Sequence, residues 1–281
     1  MAEKMWLDDA ELAQEKMKRV ALRTGEELLK RFPYGGGGDV VGKGVDGTYT
    51  HSIDKVAEDL LFKYLEEEGF RGSVLSEERG YIQGMEPELM VVDPLDGTSN
   101  AIRGVPFYSI SLALGEERRE NWLEATQVGV VLELPSERTY WAIKGRGAYL
   151  DGRRIEVRPY REEDAIFSVF VGRGHIEEAL RFLKAASKIR YLGSAALEMC
   201  LVAAGALDLF VQLGTGIRTF DIAASSLILK EAGGVLFAIE GEMLYKPKMR
   251  ATPTERRCIV AVGDPVLLKT LYPPLDDVLK E

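Results

Sequence analysis

Histidine and cysteine are nearly missing from this chain. His51, His175, Cys200 and Cys258 are the only ones among 281 residues. That scarcity excludes a disulfide framework and a cysteine–histidine zinc site, and it leaves the cysteines as two buried thiols. Catalysis built on histidine is a poor starting point, and His51 reads as a solvated loop side chain. No apolar run reaches the roughly 18 residues that cross a bilayer. The opening MAEKMWLDDAELAQEK is charged where a secretory leader needs an apolar stretch, so a cytoplasmic protein with no membrane partner is expected. Positive charge is also in deficit: 36 Lys and Arg against 45 Asp and Glu give a formal net charge of -9. No basic stripe stands ready to grip phosphates in series, so no nucleic-acid partner is expected. Amides are sparse, with asparagine at 100 and 121 and glutamine at 14, 83, 127 and 212, a bias that fits a thermophilic source.

What is present is ordinary for a globular enzyme: 46% hydrophobic residues, 29% charged, 29 Gly and 11 Pro, with no internal repeat. The length suits either one catalytic unit over 1–281 or two lobes, 1–158 and 159–281. Residues Met17, Val20, Ala21, Thr24 and Leu28 recur at helical spacing, as do Ile53, Val56, Ala57, Leu60, Leu61, Tyr64 and Leu65. Between these helices lies a Gly-rich loop, Pro33 to Thr50. Strands are expected at 73–75, 89–92, 109–114, 126–134, 139–143 and 165–171. The second half alternates: helix 175–187, strand 188–192, helix 195–204, strand 207–213, helix 221–232, then strands 235–239 and 258–262. Tyr191 and Trp141 read as core or strand residues. A layered α/β sandwich fits this order better than a simple doubly wound sheet, because the middle is strand-rich.

The sharpest local signal is Asp93-Pro94-Leu95-Asp96-Gly97-Thr98, where an apolar strand delivers two carboxylates into a Pro-Gly turn. Pro94 takes the chain out of the ladder, and Gly97 permits a close backbone approach. Asp93 and Asp96 can then converge with the Leu95 carbonyl between them, a hard oxygen-only donor set suited to Mg²⁺ rather than zinc. Glu77 follows another short strand. Asp54 and Asp221 sit at the heads of apolar helices, where each reads equally well as an N-cap acid. Several carboxylates around metal ions suit in-line phosphoryl chemistry.

Four segments, taken in order, resemble the inositol monophosphatase superfamily, which includes fructose-1,6-bisphosphatases. They are Ser76-Glu77-Glu78, the Asp93–Asn100 turn, Gly193-Ser194-Ala195-Ala196, and Phe220-Asp221-Ile222-Ala223-Ala224 ahead of Glu231-Ala232-Gly233-Gly234. The resemblance implies an αβαβα sandwich, usually a homodimer, that hydrolyses a small phosphorylated sugar or polyol. It implies two or three Mg²⁺ ions, with Mn²⁺ as a substitute, held by Glu77, Asp93, the Leu95 carbonyl, Asp96 and Asp221, with Asp54 beside the weakest ion. Thr98 with Glu77 would orient the attacking water. Gly97, Thr98 and Ser99 would cradle phosphate, and Ser194, Gln212 and Arg218 would face the substrate. The Gly-rich loop around Lys43 matches the family's mobile active-site loop. Gln212 departs from the acidic residue of the common inositol phosphatases, and Arg218 resembles the archaeal dual-specificity branch. Phosphatases of NADP or nucleotide 3'-phosphates remain an alternative, as does a silent metal-binding regulator. An aspartyl-phosphate mechanism, which needs Asp-x-Asp, is disfavoured.

Overall fold

The protein is described by a computed structural model covering residues 5–272 apart from 46, 118–120, 173, 241–242 and 253. Residues 1–4, where the charged N-terminal segment begins, lie outside the described residues, as does Asp46 of the Gly-rich loop.

After a single 3-10 turn the chain forms α1 (Ala10–Arg31), a small hairpin of β1 (Val40–Lys43) and β2 (Tyr49–His51), and α2 (Ser52–Glu67). The Asp9 side chain caps α1 by accepting the Leu12 amide at 3.2 Å. An eight-stranded sheet follows from β3 (Gly72–Ser76), β4 (Gly80–Ile82), β5 (Glu86–Asp96), β6 (Ser109–Glu116), β7 (Thr126–Glu133), β8 (Arg138–Ile143), β9 (Ala148–Leu150) and β10 (Arg153–Ile155). Short helices α3 (Thr98–Arg103) and α4 (Trp122–Ala125) interrupt it. Its order is β10-β9-β8-β7-β6-β5-β3-β4, with only β3 and β5 running parallel.

The second sheet contains β11 (Ile166–Phe170), β12 (Lys188–Arg190), β13 (Leu209–Ile217), β14 (Val235–Glu240), β15 (Met243–Tyr245) and β16 (Arg257–Val262), in the order β12-β11-β13-β16-β14-β15. Helices α5 (Ile176–Ala185), α6 (Ala195–Ala203), α7 (Thr219–Glu231) and α8 (Val266–Leu271) complete the chain.

Period-two alternation decides the layering. Val74, Met90, Val92, Leu112, Val128 and Val130 point to a core shared with α1 and α2. Their neighbours Leu75, Leu89, Val91, Ala113 and Val131 point the other way, into a core with α6 and α7. In β13 and β16, Phe210, Ile259 and Ala261 join that central core, while Leu209, Val211, Val260 and Val262 face α5 and α8. The result is the expected αβαβα sandwich. Helix α7 has no solvent-facing side over most of its length because it lies between two sheets: Phe220 to Leu229 are all buried, Asp221, Ser225 and Ser226 among them. No helix among the described residues is long and apolar enough to cross a membrane.

Several details differ from the sequence reading, among them the short strands β4, β9, β10 and β15, which it lacks. The Gly-rich loop contains the β1–β2 hairpin. Tyr191 is 58% exposed rather than core, because it follows an edge strand whose residues are all open to solvent. Of the cysteines, Cys200 is buried and Cys258 half-buried, and both are free thiols.

Helix α7 approaches β7 at Gly129, where a Cβ would lie 2.8 Å from the Ala224 carbonyl oxygen and 3.2 Å from its Cα. Gly129→Ala is expected to destabilise the fold by about 1–3 kcal/mol through overpacking. Urea denaturation reads this directly, and an unchanged midpoint would contradict the close approach.

Candidate active site

Strand β5 carries the site to the sheet's end. Asp93 pairs with Ser111 and Asp96 with Ser109, so Pro94 and Leu95 together oppose one residue of β6. This bulge follows from Pro94, which has no N–H for the ladder, and it swings the following turn away from the sheet. The Asp93 carboxylate accepts the Leu95 amide at 3.0 Å, which tightens the turn. Gly97 then takes φ +95°, and a Cβ there would sit 3.1–3.2 Å from Tyr108 and the Gly193 and Phe107 carbonyls.

Glu77 leaves the adjacent parallel strand, and Asp221 occupies the first turn of α7. One carboxylate oxygen from each of Glu77, Asp93 and Asp221 lies within 4.8 Å of the others. This span suits a magnesium ion, whose oxygen ligands stand at about 2.0–2.1 Å. Fastening comes from α2: buried Glu58 accepts the Ser76 hydroxyl and the Arg79 amide and pairs with the Arg79 side chain, fixing the turn that presents Glu77.

Burial sets the electrostatics. It pushes Glu77 up to about 8, with Asp221, Glu78 and Asp54 adding to the rise and Arg218 opposing it. Burial also drives Asp93 well above the usual carboxylate range, helped by Glu77, Asp96 and Asp221. Such a group of acids requires a cation. Arg218 supplies one: a terminal nitrogen lies 2.6 Å from Glu77 and 3.0 Å from Asp221. Burial works against that guanidinium's charge, but Asp221 and Glu77 more than offset it and keep it protonated.

Neither helix-head acid is the N-cap residue the sequence offered: Arg218 and His51 hold those positions, and Asp221 and Asp54 sit in the first turn and reach back. Asp221 reaches back to the Arg218 amide at 2.7 Å, and Asp54 to the His51 amide at 2.9 Å. The capping bonds leave other oxygens for the site. Asp54 accepts the Thr98 hydroxyl at 2.8 Å, and that hydroxyl also lies 3.1 Å from the Leu95 carbonyl. Thr98 is thus held by Asp54 and the Leu95 carbonyl. His51 is not a free loop residue, since its Nδ1 sits 3.3 Å from Asp54.

Asp96 does not join the three-carboxylate cluster. It faces the head of α6, accepting the Ser194 hydroxyl and the Ala195 and Ala196 amides at 3.3 and 2.9 Å. A helix N-terminus draws a carboxylate in this way. Burial raises Asp96 to about 7, against the Ser194 hydrogen bond. Ser194 is fully buried in this knot and caps α6. Asn100 ties the same loop down through the Leu192 and Phe107 carbonyls.

A cleft of about 210 Å³ opens beside the acids, lined in part by Asp96, Asp221, Arg218 and Gln212. Sequence reasoning missed Phe170, Tyr191 and Arg256 on its walls. No motif marks these residues, and only the strand register brings them to one end of the second sheet. The first intrahelical bonds of α3 run from Asn100 and Ala101 to the Gly97 carbonyl, so the Thr98 and exposed Ser99 amides head the helix. The β1–β2 hairpin packs on the turn that follows Glu77, with Thr50 bonded to Glu78 and Val45 against Gly80.

The chain matches the model of the inositol monophosphatase family over residues 8–278. It is 39% identical over 232 residues to the fructose-1,6-bisphosphatase/inositol-1-monophosphatase of Methanothermobacter thermautotrophicus, covering 78% of this chain and 83% of that protein. It is 34% identical over 262 residues to a bifunctional NADP phosphatase/NAD kinase of Methanocaldococcus jannaschii, covering 80% of this chain but 45% of that one. A crystal structure of an inositol monophosphatase–fructose 1,6-bisphosphatase superposes with a TM-score of 0.81 at 30% identity, over 92% of this chain and 98% of the other. With a family match over nearly the whole chain and relatives above 30% identity, the chain belongs to the inositol monophosphatase family.

Proposed function

We propose that this chain is a magnesium-dependent phosphomonoesterase for small sugar or polyol phosphates, with fructose 1,6-bisphosphate and inositol 1-phosphate as its substrates. The observation that carries the reading is the meeting of Glu77, Asp93 and Asp221 within 4.8 Å, beside the head of α3. Glu77, Asp93 and Asp221 would hold the metal, with the Leu95 carbonyl, Asp96 and Asp54 as the further oxygens near a second or third ion; Mn²⁺ fits the same donors. Bound metal would neutralise the acids, polarise the phosphoryl oxygens and acidify a water.

The rest falls to the protein. Thr98 has its hydroxyl proton directed to Asp54 and the Leu95 carbonyl, so its lone pair can accept a hydrogen from the attacking water. Glu77 takes the other hydrogen, aiming the water's remaining lone pair at phosphorus; as that bond forms, the P–O bond to the sugar or polyol breaks and the departing alkoxide takes a proton from a water molecule. The Gly97, Thr98 and Ser99 amides receive the phosphoryl oxygens and stabilise the charge spread over them in the transition state. Gln212 and Arg218 on the cleft wall meet the sugar or polyol. A homodimer is the assembly to expect, and light scattering should give twice the 31.2 kDa chain mass.

One observation favours a second reading, an NADP or nucleotide 3'-phosphate phosphatase. Tyr191 and Phe170 have ring centroids 5.2 Å apart at the cleft wall, an aromatic surface on which a base could lie. The experiment is phosphate release at saturating Mg²⁺ from fructose 1,6-bisphosphate, inositol 1-phosphate and NADP side by side. Turnover of the first two supports the main reading, and turnover of NADP alone replaces it.

Asp93→Asn should lower kcat/KM roughly 100-fold or more while the circular dichroism spectrum stays native. Full activity in that variant would remove Asp93 from the site. Stability should also respond to pH. Glu77 at about 8 and Asp96 at about 7 are raised above ordinary carboxylates, so the folded chain binds more protons than the unfolded chain in that window. Without divalent metal, stability is fully present below the unfolded carboxylate range and falls as pH rises toward 8. Saturating Mg²⁺, which favours the ionised acids, should flatten or reverse that slope. Thermal melts from pH 5 to 8.5, with EDTA or Mg²⁺, check this, and identical slopes in both would contradict it.

A further inference from the structure

Arg218 holds its guanidinium among the very oxygens a metal must use. One terminal nitrogen is 2.6 Å from Glu77 Oε1 and 3.0 Å from Asp221 Oδ1. Nε is 3.2 Å from Asp221 Oδ2, which also accepts the Arg218 amide at 2.7 Å. Both oxygens of Asp221 are therefore engaged. The side chain is 12% exposed, and the guanidinium carbon sits 4.4 Å over the Phe220 ring. A divalent ion at about 2.1 Å from these carboxylates and a guanidinium hydrogen-bonded to them exclude one another, by volume and by like charge.

We propose that Arg218 is a built-in competitor for the metal, and that loading the ion turns its side chain out of the acids into the substrate cleft. The proposal rests on the reading of Glu77, Asp93 and Asp221 as a metal site. The exchange is structurally undemanding. Only side-chain bonds need break, since the amide bond to Asp221 belongs to the backbone cap of α7 and stays. Phe220 gives the guanidinium a flat surface along which to move, and Arg218 already lines the cleft it would enter, beside Gln212 and Tyr191. One residue then has two states: ion-pair partner of Glu77 and Asp221, or an anion-binding group facing the substrate. A planar fork suits both partners, carboxylate and phosphate, which a lysine's point charge does not. The consequence is order: the cleft acquires its cation only once the ion is in place, so metal and a phosphorylated substrate should bind cooperatively.

The test measures metal binding without turnover. Mn²⁺ binding to metal-stripped protein is followed by calorimetry for the wild type, Arg218→Lys and Arg218→Ala. Removing a competitor that dominates the unloaded state should tighten the first ion roughly tenfold or more in Arg218→Ala, with Arg218→Lys between. Unchanged or weaker binding in Arg218→Ala overturns the proposal while leaving the phosphatase reading in place. Failure of the wild type to bind Mn²⁺ overturns both. Because Arg218→Ala leaves buried acids without a partner and could fold poorly, a second measurement uses the wild type. The Arg218 Nε–H resonance, assigned by its loss in Arg218→Lys, is followed by NMR during Mg²⁺ titration. Saturation should convert it from a solvent-protected to a fast-exchanging signal, and a protected signal at saturating Mg²⁺ would overturn the proposal.

Discussion

Negative charge taken out of water in one place is the constraint on which the rest of the structure depends. Glu77, Asp93 and Asp221 bring oxygens within 4.8 Å of one another, with Asp96 and Asp54 close behind. Like charges at that spacing, largely buried, cost far more than any local hydrogen bond returns. The fold answers with positive ends. Helices α2, α3, α6 and α7 all begin at the site, through Asp54, Thr98, the Asp96–Ala196 bond and Asp221. Arg218 adds a full charge. On the proposed reading a divalent ion would supply the remaining balance and equip the same arrangement for phosphoryl chemistry.

The sandwich exists in part to aim those helices. Both faces of the first sheet are buried, one under α1 and α2, the other under α6 and α7, so β5 is rigid on both sides where it delivers Asp93. Helix α7 is clamped between two sheets, with Gly129 allowing its closest approach. Its first turn, carrying Arg218 and Asp221, therefore has a fixed position relative to Glu77 on a distant part of the chain. Glu58 and Arg79 hold the Glu77 turn from the other side. The β1–β2 hairpin is exposed along its first strand and touches this turn through Thr50 and Val45.

Much of this was legible in the chain because local chemistry dictates it. Pro94 and Gly97 fix the turn after β5 whatever surrounds them. The apolar stripe of α2 announces one buried face, and the nearly all-apolar run 222–229 of α7 announces burial on every side. Other features lie beyond local reasoning. Asp93 and Asp96 share a turn and were expected to converge, yet Asp96 faces α6, because amides from a distant helix compete for it. Thr98 meets Asp54 because α2 crosses the head of α3. Tyr191 has a core residue's chemistry but sits beyond an edge strand. The strands β4, β9 and β10 have three residues each, too few for an alternation to show. The αβαβα layering came through family resemblance, and the strand order explains it afterwards.

The most direct test of the central claim is the position of the ion. A crystal grown with Mn²⁺ and measured at the manganese edge should show an anomalous peak bounded by Glu77, Asp93 and Asp221, with oxygen ligands near 2.1–2.2 Å. No peak there at saturating Mn²⁺, or one confined to another part of the molecule, would contradict the account.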